Sequence, residues 1–300
     1  MLSKIIRALV AFLMILSPAL PQKLSLPAIP SGQNLELDSR FELIWSDEFD
    51  GDKLDTTKWF YPWWETERKG GYWHEDMVSV KDGNLVITTA YFDEPLENYY
   101  YDTWHDQINF NEYKPGWYTG CIETRGKFEQ CYGYFECRCI LPKSSGMWSA
   151  FWMMNDGVSN VDGSGQDGTE VDVFESMYYK DAWWGAGDAV VSGIHYDGYG
   201  ADHKGDSIGK WFANNPYEEF NTYGVEWNEN EYIFYINGVE TGRLSTGGVS
   251  QNPEYLILSC EVAGENGVAN ADRNGTGKIS MKPGDTAEFI VDYVRVYQYK

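Results

Sequence analysis

The sequence predicts an all-β fold, an antiparallel sandwich of many short strands. From Phe41 onward, short apolar runs alternate with turns rich in Gly, Asn and Asp. No long segment carries the helical period, and no internal repeat marks a solenoid or propeller. Short strands separated by regular turn signals are the pattern of a sandwich.

The elements follow in order. Lys4 and Arg7 precede the apolar run Ala8 to Leu16 and then Ser17-Pro-Ala19. This is the form of a secretory signal peptide, assigned to residues 1–22. The run is too short to span a bilayer comfortably. Residues 23–40 lack periodicity and read as a linker or lead-in strand. Val78 to Val80 and Leu85 to Thr89, joined through Asp82-Gly83, read as a hairpin, as does Tyr232 to Ile236 closed by Asn237-Gly238. Phe289 to Tyr297 reads as a last strand. Residues 90–116 and 178–190 read as long irregular loops. The first loop region holds Tyr99 to Tyr101, Trp104, His105 and nearby Trp117; the second holds Trp183 and Trp184. Long loops of a sandwich are where binding concentrates.

The chemistry centres on Gly168-Thr-Glu-Val-Asp-Val-Phe-Glu-Ser176. Val171, Val173 and Phe174 favour a strand, and on a strand Glu170 and Asp172 share a face. Glu175 falls on the opposite face unless a β-bulge near Val173-Phe174 returns it. Three acids on one face are unfavourable unless they are paired or used. On these residues alone, a solvated acidic edge strand is the commoner meaning. The chemical alternative is glycoside hydrolysis with retention, which needs a nucleophilic carboxylate and a protonated carboxyl roughly 5–5.5 Å apart. With the bulge absorbed, Glu170 and Glu175 stand roughly 13 Å apart at Cα, at about 3.3 Å per residue, so their side chains must lean together. A charge on Asp172 between them keeps their proton affinities apart.

Glu170 to Glu175 resembles the signature of glycoside hydrolase family 16, in the version with the extra bulge residue. Trp45-Ser-Asp-Glu-Phe49, Asp82-Gly-Asn-Leu-Val-Ile-Thr88, Tyr132-Gly-Tyr-Phe-Glu136, Gly146-Met-Trp-Ser-Ala-Phe-Trp152, Tyr223-Gly-Val-Glu-Trp227 and Asp292-Tyr-Val-Arg-Val-Tyr297 resemble other blocks of that family, in its order. The resemblance implies that residues 41–300 are a catalytic domain: a concanavalin A-like jelly roll of two curved sheets with a concave substrate cleft. It implies Glu170 as nucleophile, Glu175 as acid/base and Asp172 as the residue that holds the nucleophile's orientation and charge. Trp148 and Trp152, which alternate with Ser149, Phe151 and Met153, become candidates for sugar stacking. His195 matches a strand histidine near the scissile bond, and Trp63, Trp64 and Trp73 fall in a region that contributes to the donor side. Glu261 stands where the familiar β-1,3-glucanase form has a smaller or amide-bearing residue, which leaves the polysaccharide open; Glu261 itself is a candidate substrate contact. Some members carry a structural calcium, for which Glu48, the Gly83 carbonyl and Asp292 are candidates. No other cofactor is required.

The expected activity is a secreted endo-glycosidase on β-1,3- or mixed β-1,3/1,4-glucan. A sister activity on galactan, agar or carrageenan, or transfer on plant wall glucan, remains an alternative. A non-catalytic glycan-binding module would show a missing acid, and both glutamates are present. A structural surface protein with a merely solvated acidic strand would cleave no polysaccharide. The formal net charge of −23 argues against nucleic acid or an anionic membrane as partner. A neutral polysaccharide fits better than a heavily sulfated one, and a monomer is expected. Aromatic content of 16%, with 13 Trp and 22 Tyr, supplies sugar-stacking faces as well as core. Cys121, Cys131, Cys137, Cys139 and Cys260 are odd in number and lack zinc spacing. Most are expected to be small buried apolar residues, with room for one bridge that spacing does not assign.

Overall fold

The computed structural model describes residues 27–31, 37, 39–62, 67–97, 99–102, 107–110, 113–177, 179–180, 188–269 and 279–300. The signal-peptide segment, Trp63, Trp64, Trp104, His105, Trp183 and Trp184 lie outside them.

Two large sheets form the body. The larger runs Val239–Leu244, Tyr232–Ile236, Asn221–Trp227, Gly133–Ile140, Thr286–Tyr299, Asn84–Phe92, Gly116–Thr119, Gly71–Trp73, Glu67–Arg68. Phe41–Asp47 also pairs with Thr286–Tyr299, and Val78–Lys81 with Asn84–Phe92. The smaller runs Glu129–Gln130, Glu254–Val262, Met147–Met154, Glu170–Ser176, Val190–Tyr196, Lys204–Trp211, with Cys121–Glu123 also on Glu254–Val262. Neighbours in these sheets are antiparallel except Gly71–Trp73 and Gly116–Thr119, which run parallel. This is the antiparallel sandwich expected from the sequence. Its helical content among the described residues is two short 3-10 turns, Glu75–Met77 and Asp156–Ser159.

Both hairpins form. Asp82 and Gly83 have φ of 53° and 73°, and Asn237 and Gly238 have 48° and 74°. Positive φ at both central residues is what a two-residue turn matching the strand twist demands, and Asp-Gly and Asn-Gly tolerate it. The Asn237 side chain adds to its turn: its Oδ1 accepts from the Thr222 N–H at 2.9 Å.

The core lies between the sheets. Phe174 of the smaller sheet meets Tyr223 and Phe289 of the larger, with ring centroids 4.3 and 6.2 Å away. Trp59, Trp227, Phe135, Phe151 and Phe234 are also wholly buried.

The segment 90–116 is more regular than expected. Ala90 to Phe92 complete a strand, Tyr99–Asp102 pairs with Gln107–Phe110, and Gly116 begins another strand. Trp117 sits in that strand, buried, edge-on to Tyr91 at 5.4 Å. Aromatic-rich sequence favours strands, and here that preference outweighs the absence of clean alternation. In the lead-in segment, Ile29 bridges to Ala213. No helix among the described residues is long and apolar enough to cross a membrane.

No disulfide joins the five cysteines, and all but Cys131 are buried. The bridge left open by the sequence is not formed. Cys137 and Cys139 are core residues two apart on one strand, a spacing that shares a face without bridging. Reductant is therefore expected to leave the melting temperature almost unchanged. In a domain of this size about 1 kcal/mol moves it roughly 2–4 °C, so a drop above about 10 °C in thermal unfolding with dithiothreitol would show that a bridge carries stability.

Candidate active site

The acid strand bulges where the sequence requires. Toward Met147–Met154, Phe151 pairs with Phe174 and Trp152 with Asp172, so Val173 is skipped. Toward Val190–Tyr196, Asp172 pairs with Gly193 and Glu175 with Val191, setting two residues against one. Val171, Val173 and Phe174 all enter the core, at 0%, 2% and 0% exposure. The extra residue leaves Glu170, Asp172 and Glu175 together on the other face, as a bulge does by shifting side-chain alternation by one.

The three acids have different surroundings. Glu170 is half-buried, and its Oε2 accepts from the Tyr199 hydroxyl. Its pKa is raised, chiefly by burial with Glu261 adding to the rise, while Tyr199, Arg68 and Lys69 oppose it. Glu175 accepts at Oε1 from the Trp148 indole N–H at 2.7 Å. Burial is the main force that pushes its pKa up to about 7; Trp148 and Lys69 oppose the rise, and Glu170 and Glu261 add to it. Asp172 is buried between them and is pushed well above the ordinary carboxylate range, by burial first and then by Glu175 and Glu170. Its Oδ2 has no hydrogen bond and lies 3.4 Å from His195 Nε2. Burial and neighbouring His203 lower the pKa of His195, which favours its neutral form. Its Nδ1 lies 2.9 Å from His203 Nε2.

Trp148 and Trp152 project to the same side as the acids and are half-buried, while Ser149, Phe151 and Met153 are buried behind them. The Trp152 indole N–H is bonded to Ser259 Oγ at 3.1 Å. Trp73 differs from the expectation of an open stacking surface. It is 5% exposed, its N–H donates to the Cys260 carbonyl at 2.8 Å, and the Arg68 guanidinium covers its ring at 4.7 Å. Its hydrophobic area is spent on packing with Tyr255 and Ile257. Glu261 also differs. It is 5% exposed; Oε1 accepts from Arg68 at 2.9 and 2.6 Å, and Oε2 meets Lys69 Nζ at 2.8 Å. Those cations hold its pKa below the usual range despite burial. A buried carboxylate must be paired, and here the pairing occupies the oxygens that a substrate contact would need.

Sequence reasoning missed Arg68, Lys69, Tyr199 and His203. The signals available were Arg68-Lys69 directly before Gly70-Gly71 in an acidic chain, and Tyr199 within the turn after Tyr196.

The calcium candidates lie on or beside the larger sheet and its hairpin. Glu48 forms a two-pronged pair with Arg295 at 3.0 and 2.8 Å, and Asp292 pairs with Arg138. Gly83 sits at its hairpin tip.

Chemically, the face offers a carboxyl that accepts from a phenol, a second carboxyl whose pKa is pushed up to about 7 and that accepts from an indole, and a buried acid between them. This is the division of labour of an acid/base pair.

The family model described as "Beta-porphyranase A-D, GH16 domain" matches residues 43–299. The chain is 30% identical over 219 residues to the endo-1,3-1,4-beta-glycanase ExsH of Rhizobium meliloti (strain 1021), a match covering 73% of this chain and 39% of that protein. It is 31% identical over 228 residues to beta-porphyranase B of Zobellia galactanivorans, covering 72% of each. The crystal structure of porphyranase B from the same organism aligns with a TM-score of 0.65 at 24% identity, covering 89% of this chain and 98% of that one, and so shares the fold. The chain spans 38% to 55% of the lengths of the first curated relatives it matches.

The state of Glu175 has a consequence for stability. Its folded pKa of about 7 lies above the ordinary value that the unfolded chain shows. The stability linked to its proton is therefore fully present below the ordinary value and is lost as pH rises through about 7. Glu175→Gln removes that loss. The variant's melting temperature relative to the parent is expected to rise by roughly 5–10 °C between pH 5 and pH 8.5. A difference that is flat across this range in calorimetry would contradict the raised value.

Proposed function

The chain belongs to glycoside hydrolase family 16, and from that premise we propose that it is an endo-acting, retaining glycoside hydrolase with Glu170 as nucleophile and Glu175 as acid/base. The observation that carries this reading is the bulge at Val173-Phe174, which turns two glutamates five residues apart to one face and gives them different partners.

Glu170 attacks the anomeric carbon as the glycosidic C–O bond breaks, and Glu175 gives its proton to the departing oxygen. The product of this step is a glycosyl ester on Glu170. Glu175, now a carboxylate, takes a proton from water; the water attacks the anomeric carbon and frees Glu170. Asp172 lies between them and carries charge or proton as the pair changes state, with His195 beside its Oδ2. Trp148 and Trp152 present half-buried indoles along the same strand for sugar rings.

The substrate reading is β-1,3- or mixed β-1,3/1,4-glucan, supported by the relative named endo-1,3-1,4-beta-glycanase. A β-galactan backbone is the second reading, favoured by the porphyranase description of the matching family model and by the relative named beta-porphyranase B. Reducing ends released from laminarin, barley-type glucan, agarose and porphyran separate the two. The N-terminal segment's charged start and short apolar run support export and action outside the cell.

Glu170→Gln is expected to lower turnover by several orders of magnitude in a folded protein. Glu175→Ala should impair polysaccharide cleavage far more than cleavage of an aryl glycoside, whose leaving group needs no proton. Azide should restore the aryl reaction and give a β-glycosyl azide. For the parent enzyme, proton NMR in the first minutes of digestion should show the β-anomer. Initial α-anomer would mean inversion and end the assignment of Glu170 as nucleophile.

A further inference from the structure

Lys69 occupies a position that the fold goes to some length to maintain. Its φ is 50°, in the left-handed region that side chains bearing a Cβ seldom adopt. Its backbone bridges to Val262, and the Gly70 N–H donates to the Val262 carbonyl at 2.8 Å. Gly70 approaches so closely that a Cβ there would lie 2.4 Å from the Ala263 carbonyl oxygen. The segment is thus pinned beside the end of the strand that carries Glu261.

Pinning delivers the Lys69 ammonium to two partners. It meets Glu261 Oε2 at 2.8 Å and stands 3.7 Å from the ring centroid of Trp148. Trp148 in turn donates its N–H to Glu175. Glu261 and Trp148 are directly opposite in the pairing of their strands, so one cation reaches both. A cation on an indole face is attracted by the π electrons. It also draws electron density from the ring and makes the N–H a more polar donor. We propose that Lys69 is a positioning residue for the acid/base: it fixes Trp148 on Glu175 and strengthens the indole N–H bond to that carboxylate, while buried Glu261 and Arg68 hold Lys69 in place. The inference rests on the reading of Glu175 as acid/base.

The charged groups facing Glu175 are Glu170 and Asp172 on its own strand, Glu261 on Glu254–Val262, and Lys69 with Arg68 on the pinned segment; His195 reaches it only through Asp172. A purely structural lysine would neutralise Glu261, and its loss would lower stability without changing the acid/base. A positioning lysine changes the pH profile. Removing it disfavours ionised Glu175, so the protonated acid survives to higher pH and the alkaline limb moves up.

The test is the pH dependence of kcat/KM, read as reducing ends from whichever of laminarin, barley-type glucan, agarose and porphyran is cut fastest. Lys69→Met should move the alkaline limb up by about 0.5–1 pH unit, the span of a partly desolvated cation–π contact. Lys69→Arg should restore most of it. Trp148→Phe should also move the limb up, and adding Lys69→Met to it should shift the limb by less than Lys69→Met does in the parent, because the path through the indole is already cut and only the direct effect of the charge remains. Should Lys69→Met fold poorly with Glu261 left paired only to Arg68, the double variant Lys69→Met/Glu261→Gln is read against Glu261→Gln alone and must still show the upward shift. An unchanged limb in folded protein, or shifts from Lys69 and Trp148 that simply add, would overturn the proposal. Glu175→Ala on an aryl glycoside tests the underlying reading separately: persistence of the alkaline limb there would refute Glu175 as its source, whatever Lys69 does.

Discussion

A single inserted residue controls the face of the cleft. Val173 and Phe174 are consecutive, yet both enter the core, and Phe174 meets Tyr223 and Phe289 of the opposite sheet. The packing between the sheets therefore fixes the bulge, and the bulge fixes which way Glu175 points. Burial of large aromatic and branched side chains supplies the free energy. The same burial keeps the register from slipping, because a slip by one residue would turn Phe174 to the cleft and Glu175 to the core. Stability and acid placement are two results of one local geometry.

The electrostatics follow from where the few cations are placed. In a chain with 46 acidic and 23 basic residues, Arg68 and Lys69 are brought to the one face where acids gather. They pair with Glu261, a buried carboxylate one strand beyond Trp148, and from there bring positive charge to the acids. Tyr199 acts from the other side on Glu170 alone. The two glutamates are thus distinguished by a phenol on one and an indole on the other.

Much of this was legible in the sequence. Asp82-Gly83 and Asn237-Gly238 announced their hairpins because few residue pairs accept two positive φ angles in succession. The bulge was legible because Glu170 to Glu175 cannot be sorted into an apolar and an acidic face without it. Alternation put Trp148 and Trp152 on one face, and the family resemblance placed that face beside the acids. The readings that changed involve contacts between distant segments. Trp73 and Glu261 resemble ligand-binding residues locally, but Arg68, nearly two hundred positions from Glu261, covers one and neutralises the other. Nothing near Lys69 in sequence shows that Gly70 will press against the backbone of Ala263. Trp117 was read as part of a loop because the Tyr- and Trp-rich stretch before it has no clean period.

The position of Thr286–Tyr299 in the larger sheet bears on how the protein comes to be folded at all. That strand is flanked by Phe41–Asp47, Gly133–Ile140 and Asn84–Phe92, so three earlier parts of the chain have no common partner until it arrives. The larger sheet cannot close until that late strand has been made. Contacts of such long sequence separation also make closure slow. Until residues 286–299 are available, the chain is without a completed sandwich. That is the state in which a polypeptide can be threaded through a narrow translocation pore, and the state in which it most needs to be shielded from self-association.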